Sequence, residues 1–478
     1  MKQSLRAGWF VLMFICGTVV LFAADDTTKT RTQPKPHELS SERFLIIAPE
    51  LFMSELKAYA DYKQKQQPTT LVSLESILKE QKQGDDAERV KRYLYQQWTT
   101  HQLGYVLLVG DADIFPVRYM VLDRVTPPAF DYSFYPSDLY FADVAKADGS
   151  FEDWNQQKEG FHKDYYGEVR GEKNKTDPIN YDQVDYIPEL AVGRWPVSTV
   201  AELKVVMQKS MQYEAEILSE KKPGMRHAAF FMVGGWVDAR GMMHQLADKM
   251  PRGWHIEKRF YSNNKEQAKT PQPTEAELER LLQQGQGLVF HAGHGNHDCW
   301  EHCFFMSRLD RVKNDDRLPV IFSAGCSTAY FATLPPYEAY IDIHGKEHKG
   351  TNSGEVFTEP PPAPACYQKG PYNRTGLGEQ LLKRNLHGAV AYIGCNTGSQ
   401  PCGLSLMEGF VLGLSHSRQP RVGSCWAYAM KHYYTKERLA QLKPTDSWYP
   451  PSIFFQGMKF MLFGDPTLRI PSPKDAAD

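Results

Sequence analysis

The chain has 478 residues, enough to bury large cores and to make two or three domains. Charged residues make up 23%, the hydrophobic set 42%, and the formal net charge is −2, so no excess of basic surface argues for a nucleic-acid partner. That balance also excludes a disordered chain.

Lys2 and Arg6 precede an apolar run over residues 7–22, which ends in Ala23 and Ala24 before Asp25 and Asp26. A basic start, an apolar middle and small residues at the exit predict a signal peptide over residues 1–24, with export to the periplasm or the extracellular space. The run is borderline for a membrane span, so an uncleaved N-terminal anchor is the alternative. Bulky Ile15 before Cys16 argues against lipoprotein processing. No other run is long and apolar enough to cross a bilayer. Outside the cytosol disulfides persist. Beyond the leader stand Cys299, Cys303, Cys326, Cys366, Cys395, Cys402 and Cys425, an odd set that leaves at least one thiol without an intrachain partner. Cys326 is the candidate for that reactive thiol; the others read as bridged or buried.

Residues 25–40 are polar, with Pro34 and Pro36, and read as a linker. A first α/β unit is expected over residues 41–220. Strands are predicted at 44–48 (FLIIA), 69–73 and 105–109 (YVLLV), with helices at 50–65 and 86–99. Regularity fails over 126–188, where Asp, Tyr, Gly and Asn abound, and such long excursions are usually functional, metal-organised or mobile. A strand at 189–195 (ELAVGRW) and a helix at 199–218 close the unit.

A second unit is expected over 221–471, followed by a tail at 472–478. It opens with a strand at 228–233, a helix at 241–249 and another at 274–284, where Thr274 and Glu277 form a capping-box pattern. Two apolar runs follow, GLVFHAGHGNHDCW and, about thirty residues later, LPVIFSAGCSTAY. A second irregular stretch, with EPPPAPA, precedes a helix at 378–385, a strand at 389–393, a loop at 395–403 and a final strand broken by a Gly-Asp-Pro turn. Strands alternating with helices imply an α/β fold with mainly parallel sheets.

The two apolar runs end in His291, His294 and Cys326. Ligands and chemistry gather at the carboxyl ends of parallel strands. A Cys and a His delivered there make a nucleophile and its proton acceptor. His291 competes with His294 as the base, but its place before Ala292 suits a strand end.

These motifs resemble the gingipain family of cysteine peptidases, within the group that includes caspases and legumains. That group carries a strand ending in His-Gly, here His294-Gly295, and a later strand ending in an Ala-Cys or similar pair, here with Gly325 between Ala324 and Cys326. YVLLVGDADIFPV, SDLYFAD, ELAVGRWPV, Trp300 and FGDPTLRI follow the family's order, so that the resemblance covers about residues 42–470. The resemblance implies two caspase-like subdomains, each a mainly parallel sheet flanked by helices, with the dyad in the second. It also implies an endopeptidase that acts on protein or peptide substrates through a Cys326–His294 dyad and a thioester, with the N–H groups of Gly295 and Cys326 as oxyanion hole and no cofactor required. It makes Trp300, Asn396, Thr397, Gly398, Ser399 and Gln400 candidates for the substrate pocket. The arginine-specific members carry an orienting acid after the strand that corresponds to 228–233, and a second acid in the specificity pocket. Asp238 is the only carboxylate in this chain's loop, GGWVDARGMMH, and so the candidate to orient His294; an acidic pocket for arginine or lysine is not supported.

Two other readings stand beside the peptidase: a non-catalytic binding protein on the same fold, and a zinc hydrolase. His291, His294, His297, Cys299, His302 and Cys303 crowd thirteen positions with zinc-type ligands, though in no recognised spacing. In the first irregular stretch Asp143, Asp153 and Glu168 are candidate ligands for a structural calcium ion, because clustered loop oxygens suit it.

Overall fold

Apolar runs become the central strands, buried on both faces, of one sheet of ten strands. The computed structural model describes residues 43–121, 133–154, 179, 184–219, 225–263, 268–314, 317–359, 361–443 and 449–471. The expected leader, linker and tail fall outside these residues, as does Glu168. The strands are β1 (Phe44–Ala48), β2 (Thr69–Ser73), β3 (Tyr105–Val109), β4 (Ala191–Trp195), β5 (His227–Met232), β6 (His255–Phe260), β7 (Leu288–Ala292), β8 (Val320–Ser323), β9 (Ala391–Cys395) and β10 (Phe460–Phe463). Their spatial order is β2-β1-β3-β4-β10-β9-β8-β7-β5-β6. Neighbours run parallel throughout, save the antiparallel pair β9 and β10.

Alternate residues of each strand feed opposite cores. Leu45, Val106, Phe230, Phe290 and Phe322 face a core shared with the helices Asp86–His101, Arg240–Asp248, Gly403–Gly413 and Val422–Lys436. Ile46, Leu107, Phe231, Val289 and Ile321 face the other, shared with Glu50–Gln64, Val200–Ser219, Glu275–Gln284 and Leu377–Lys383. The result is a mainly parallel sheet between two helix layers, where central strands are apolar on both sides. Thr274 caps its helix as expected, its side chain accepting the Glu277 N–H at 3.3 Å.

The first half supplies β1 to β4 and the second half β5 to β10, and they join where Phe463 lies opposite Arg194. The Gly464 N–H donates to Arg194 O at 2.8 Å across this seam. A Cβ on Gly193 would collide with Gly464 O, so only glycine allows the approach. The conspicuous charges in YVLLVGD, SDLYFAD, AVGRW and FGDPT brace this frame. Arg194 grips Asp138 through Nε at 2.8 Å and Nη2 at 2.7 Å, and donates to Gly110 O at 3.0 Å. Asp465 accepts from Tyr59 and pairs with Lys63 at 2.9 Å, while Asp111 pairs with Lys383 at 3.0 Å. Lys209 donates to the carbonyls of Leu381, Leu382 and His387, and burial holds its pKa well below the usual lysine range. Buried charges survive because each finds oppositely charged or hydrogen-bonding partners. Strands β5, β7, β8 and β9 point the same way, and the loops beyond their carboxyl ends gather at one edge.

Candidate active site

Strand β7 ends at Ala292 and turns through Gly293, whose φ of +113° and crowding by Val233 O and Gly234 O admit no side chain. The turn delivers His294, and its N–H donates to Gly234 O at 2.8 Å, which ties it to the loop after β5. Next door, β8 ends at Ser323 and leads through Ala324 and Gly325 to Cys326. Ser327, with φ of +54°, turns the chain away, and its N–H donates to Thr397 O at 2.8 Å. The Cys326 thiol sits half-buried between two groups of one residue: the Ser399 N–H points at Sγ at 3.3 Å, and Ser399 O lies 3.6 Å away.

The two turns touch through their glycines. A Cβ on Gly295 would lie 2.6 Å from Thr328 Cγ2 and 3.2 Å from Gly325 Cα, and one on Gly325 would lie 2.8 Å from His291 Cε1. Gly295 then starts a small antiparallel ribbon, Gly295–Asn296 with Cys299–Trp300 and Phe304–Phe305. Glu301 N–H donates to His294 O at 3.1 Å, which makes Gly295 and Trp300 a non-hydrogen-bonded pair. The Gly295 N–H therefore points away from the ribbon. Among the described residues the Cys326 N–H has no acceptor.

His294 and Cys326 line one pocket, together with Trp236 and Val237 after β5 and with Ser399 and Gln400 after β9. The Trp236 indole stands edge-on to the His294 ring, centroids 6.4 Å apart. A thiol, an imidazole and backbone amides at the rim of a cleft are the parts of acyl transfer with a sulfur nucleophile.

Residues 37–471 match the model of Peptidase family C25. The chain belongs to this family of cysteine-type peptidases. Its fold is that of the crystal structure of the Arg-specific cysteine proteinase gingipain R, with TM-score 0.59 and 16% identity, over 92% of this chain and 80% of that one. A complex of Porphyromonas gingivalis RgpB pro- and mature domains is similar at TM-score 0.55 and 16% identity, over 90% and 79% of the two chains. A third structure, described as a protease, has TM-score 0.55 and 13% identity, over 90% and 78%. No curated protein matches the chain.

The other candidate residues of this C25 peptidase separate into those near Cys326 and those beneath it. Ser399 and Gln400 reach the pocket, Thr397 fastens the Cys326 turn through its carbonyl, and Gly398 is exposed. Trp300 and Asn396 do not line a substrate pocket: they are 1% and 0% exposed. Trp300 stacks on His291, with ring centroids 4.3 Å apart and planes 2° from parallel, and donates Nε1–H to Tyr392 at 3.1 Å. Asn396 donates to Pro136 O. His291 is buried, its Nδ1 lies 2.8 Å from Ser323 Oγ, and burial pulls its pKa down to about 3. Ser323 in turn accepts from Thr328 at 2.9 Å, so a buried polar chain runs beneath both turns. Asp238 holds Arg240 through both oxygens, at 2.8 and 2.7 Å. Among the described residues the His294 ring has no hydrogen-bonding or ion-pair partner.

The histidines and cysteines of the suggested zinc cluster do not converge. His291 and Cys303 lie in the core and the His302 side chain is 83% exposed. All seven cysteines beyond the leader are free thiols, so of the two readings offered for the remaining cysteines, bridged or buried, no bridge forms, and Cys303 packs as a buried apolar group. Among the described residues one group has metal-holding geometry, Asp143 with Glu152 and Asp185, ligand atoms within 4.8 Å of one another; Asp153 is outside it. Burial raises Asp143 well above the usual carboxylate range and Glu152 to about 7. The chain brings its own cation near: Lys91, whose Nζ lies 4.6 Å from the ring centres of both Tyr140 and Trp154 and whose pKa burial lowers to about 8.

The pocket walls contributed by Trp236, Val237, Pro401 and Leu404 were not singled out from sequence. One signal could have found Trp236 and Val237. Strand 228–233 was expected to lie parallel with the two dyad strands, so the loop beyond its end, GGWVDARG, shares their edge.

Proposed function

We propose that this C25 peptidase is an exported endopeptidase that cuts peptide bonds with Cys326 as nucleophile and His294 as general base and acid. The observation that carries the reading is the delivery of both side chains to one pocket by adjacent parallel strands, β8 and β7. The imidazole takes the thiol proton as Sγ attacks the scissile carbonyl carbon, and returns it to the leaving amine as the C–N bond breaks. A water molecule, deprotonated by His294, then attacks the thioester and releases the acid and the free thiol. The Cys326 N–H and the Gly295 N–H turned away from its ribbon would hold the tetrahedral oxyanion. The basic, apolar, small-residue pattern of residues 1–24 supports export. No helix among the described residues is long and apolar enough to cross a membrane.

The test is covalent labelling of the exported chain by a peptidyl acyloxymethyl ketone, alongside hydrolysis of a mixed peptide library. Labelling and hydrolysis are both expected to vanish in Cys326→Ala, and hydrolysis to fall about a hundredfold or more in His294→Ala. Undiminished hydrolysis by Cys326→Ala would overturn the mechanism.

A further inference from the structure

The walls of the pocket beside Cys326 specify what enters it. The apolar side chains there include Trp236, Val237, Ala239, Pro401 and Leu404, and the polar ones beyond the dyad are Ser399 and Gln400; among the described residues no carboxylate, lysine or arginine lines it. Asp238, between two of the wall residues, is occupied by Arg240 and is not part of the lining. Trp236 is 79% exposed and Val237 47%, so two adjacent apolar side chains stand in water beside a nucleophile. A scattered exposed apolar residue is ordinary, but a contiguous pair on the lip of a reactive cleft marks a binding surface.

His294 and Cys326 bound the same cavity, so a side chain that flanks the attacked carbonyl can enter it. An arginine or lysine there would lose its water and meet no compensating acid, and a carboxylate would meet no fixed cation. An aliphatic or aromatic side chain would release water from Trp236, Val237 and Leu404. We infer that this site selects an uncharged apolar residue of the leucine, methionine or phenylalanine class on the acyl side of the scissile bond, with Trp236 and Val237 as specificity-determining residues. This inference rests on the Cys326–His294 reading and goes beyond it.

The experiment compares kcat/KM of the full chain for fluorogenic peptides that differ only at that position, carrying leucine, phenylalanine, arginine, lysine, aspartate or glutamate. The apolar pair is expected to exceed every charged peptide by about tenfold or more, the scale on which apolar pockets discriminate. Val237→Asp, at a half-exposed position that tolerates the change, is expected to move the arginine-to-leucine ratio upward by about tenfold, with an unchanged melting temperature. Trp236→Ala is expected to lower turnover of the phenylalanine peptide more than that of the arginine peptide. Faster cleavage of any charged peptide than of the apolar pair by the wild-type chain would overturn the specificity while leaving the dyad in place, and so would an unmoved ratio in Val237→Asp. Cleavage of none of the peptides, with Cys326 inert to the ketone, would remove the peptidase reading and this inference with it.

Discussion

His291 and Trp300 stack face to face, 4.3 Å between ring centres, and so place a histidine under the Cys326 turn that sequence alone sets in competition with His294. Its Nδ1 meets Ser323 Oγ, and among the described residues its Nε2 has no partner. Such an imidazole stays neutral in the fold, since burial holds its pKa at about 3. Above the unfolded value of about 6.5 the group is neutral in both states and contributes no pH dependence. As pH falls below that, the unfolded chain takes up a proton that the folded chain refuses, so stability drops by roughly 1.4 kcal/mol per pH unit until the folded pKa is reached. His291→Phe, which keeps a ring against Trp300, is expected to flatten the pH dependence of urea midpoints between about pH 6 and 4 relative to wild type. An unchanged slope would show that His291 is not the buried neutral group.

Gly295 and Gly325 face each other between the two dyad turns, and each excludes a side chain. Gly295→Ala sets a methyl 2.6 Å from Thr328 Cγ2, and Gly325→Ala sets one 2.8 Å from His291 Cε1. Neither glycine has a positive φ, so the cost is steric separation of the turns and not backbone strain. A misplacement of about 1 Å at a reacting centre costs on the order of a hundredfold in rate. Each variant is therefore expected to lose about a hundredfold in kcat/KM while its far-ultraviolet circular dichroism stays that of the wild type. Full activity in either would mean that the turns do not need this contact.

How far the sequence could be read follows from which residues carry their signal locally. Strands such as FLIIA, YVLLV and AVGRW are apolar on both faces and announce themselves, and Cys326 and His294 sit at the ends of two more. Strand β6, HIEKRF, escaped because it lies at the sheet edge, where four of its six residues stay partly or fully exposed. The helix Gly403–Gly413 escaped for the opposite reason: nearly all of it is buried, so no polar face sets its period. From sequence, Trp300 is a pocket candidate only through the family resemblance; the ribbon's fold turns it inward onto His291, which no local pattern announces. Trp236, in the loop after β5, and Leu404, at the start of the helix Gly403–Gly413, line the pocket of Cys326 from places far apart in the chain, and no local pattern carries their meeting.

Asp238 separates two readings of the imidazole. Both of its oxygens hold Arg240 at the surface, and this pair pulls the carboxyl down to about 2. An acid that orients a catalytic imidazole typically costs orders of magnitude in rate when neutralised. Asp238→Asn is instead expected to change kcat/KM by less than about threefold, because an exposed ion pair contributes little. A drop beyond a hundredfold, measured with a peptide of fixed sequence across pH 5 to 9, would assign the orienting role to Asp238 after all.

Arg194 and Asp138 tie the β4 side of the seam to the loop before the short helix Leu139–Ala142, and Arg194 is 0% exposed. Removing one partner of such a pair strands a buried charge, at a cost of about 3–5 kcal/mol. Asp138→Ala leaves Arg194, among the described residues, without a countercharge and with hydrogen bonds to the carbonyls of Gly110 and Pro116, so a loss of that size is expected in urea unfolding. Arg194→Met alone is expected to cost a similar amount, since it strips the largely buried Asp138 carboxylate of its partner. The double variant Asp138→Leu with Arg194→Met removes both charges and is expected to recover a large part of the loss, because well-packed apolar replacements of buried pairs are often near neutral. Additive losses in the double variant would mean that the pair holds the seam by its geometry, through the hydrogen bonds to Gly110 and Pro116, and not by mutual neutralisation of charge.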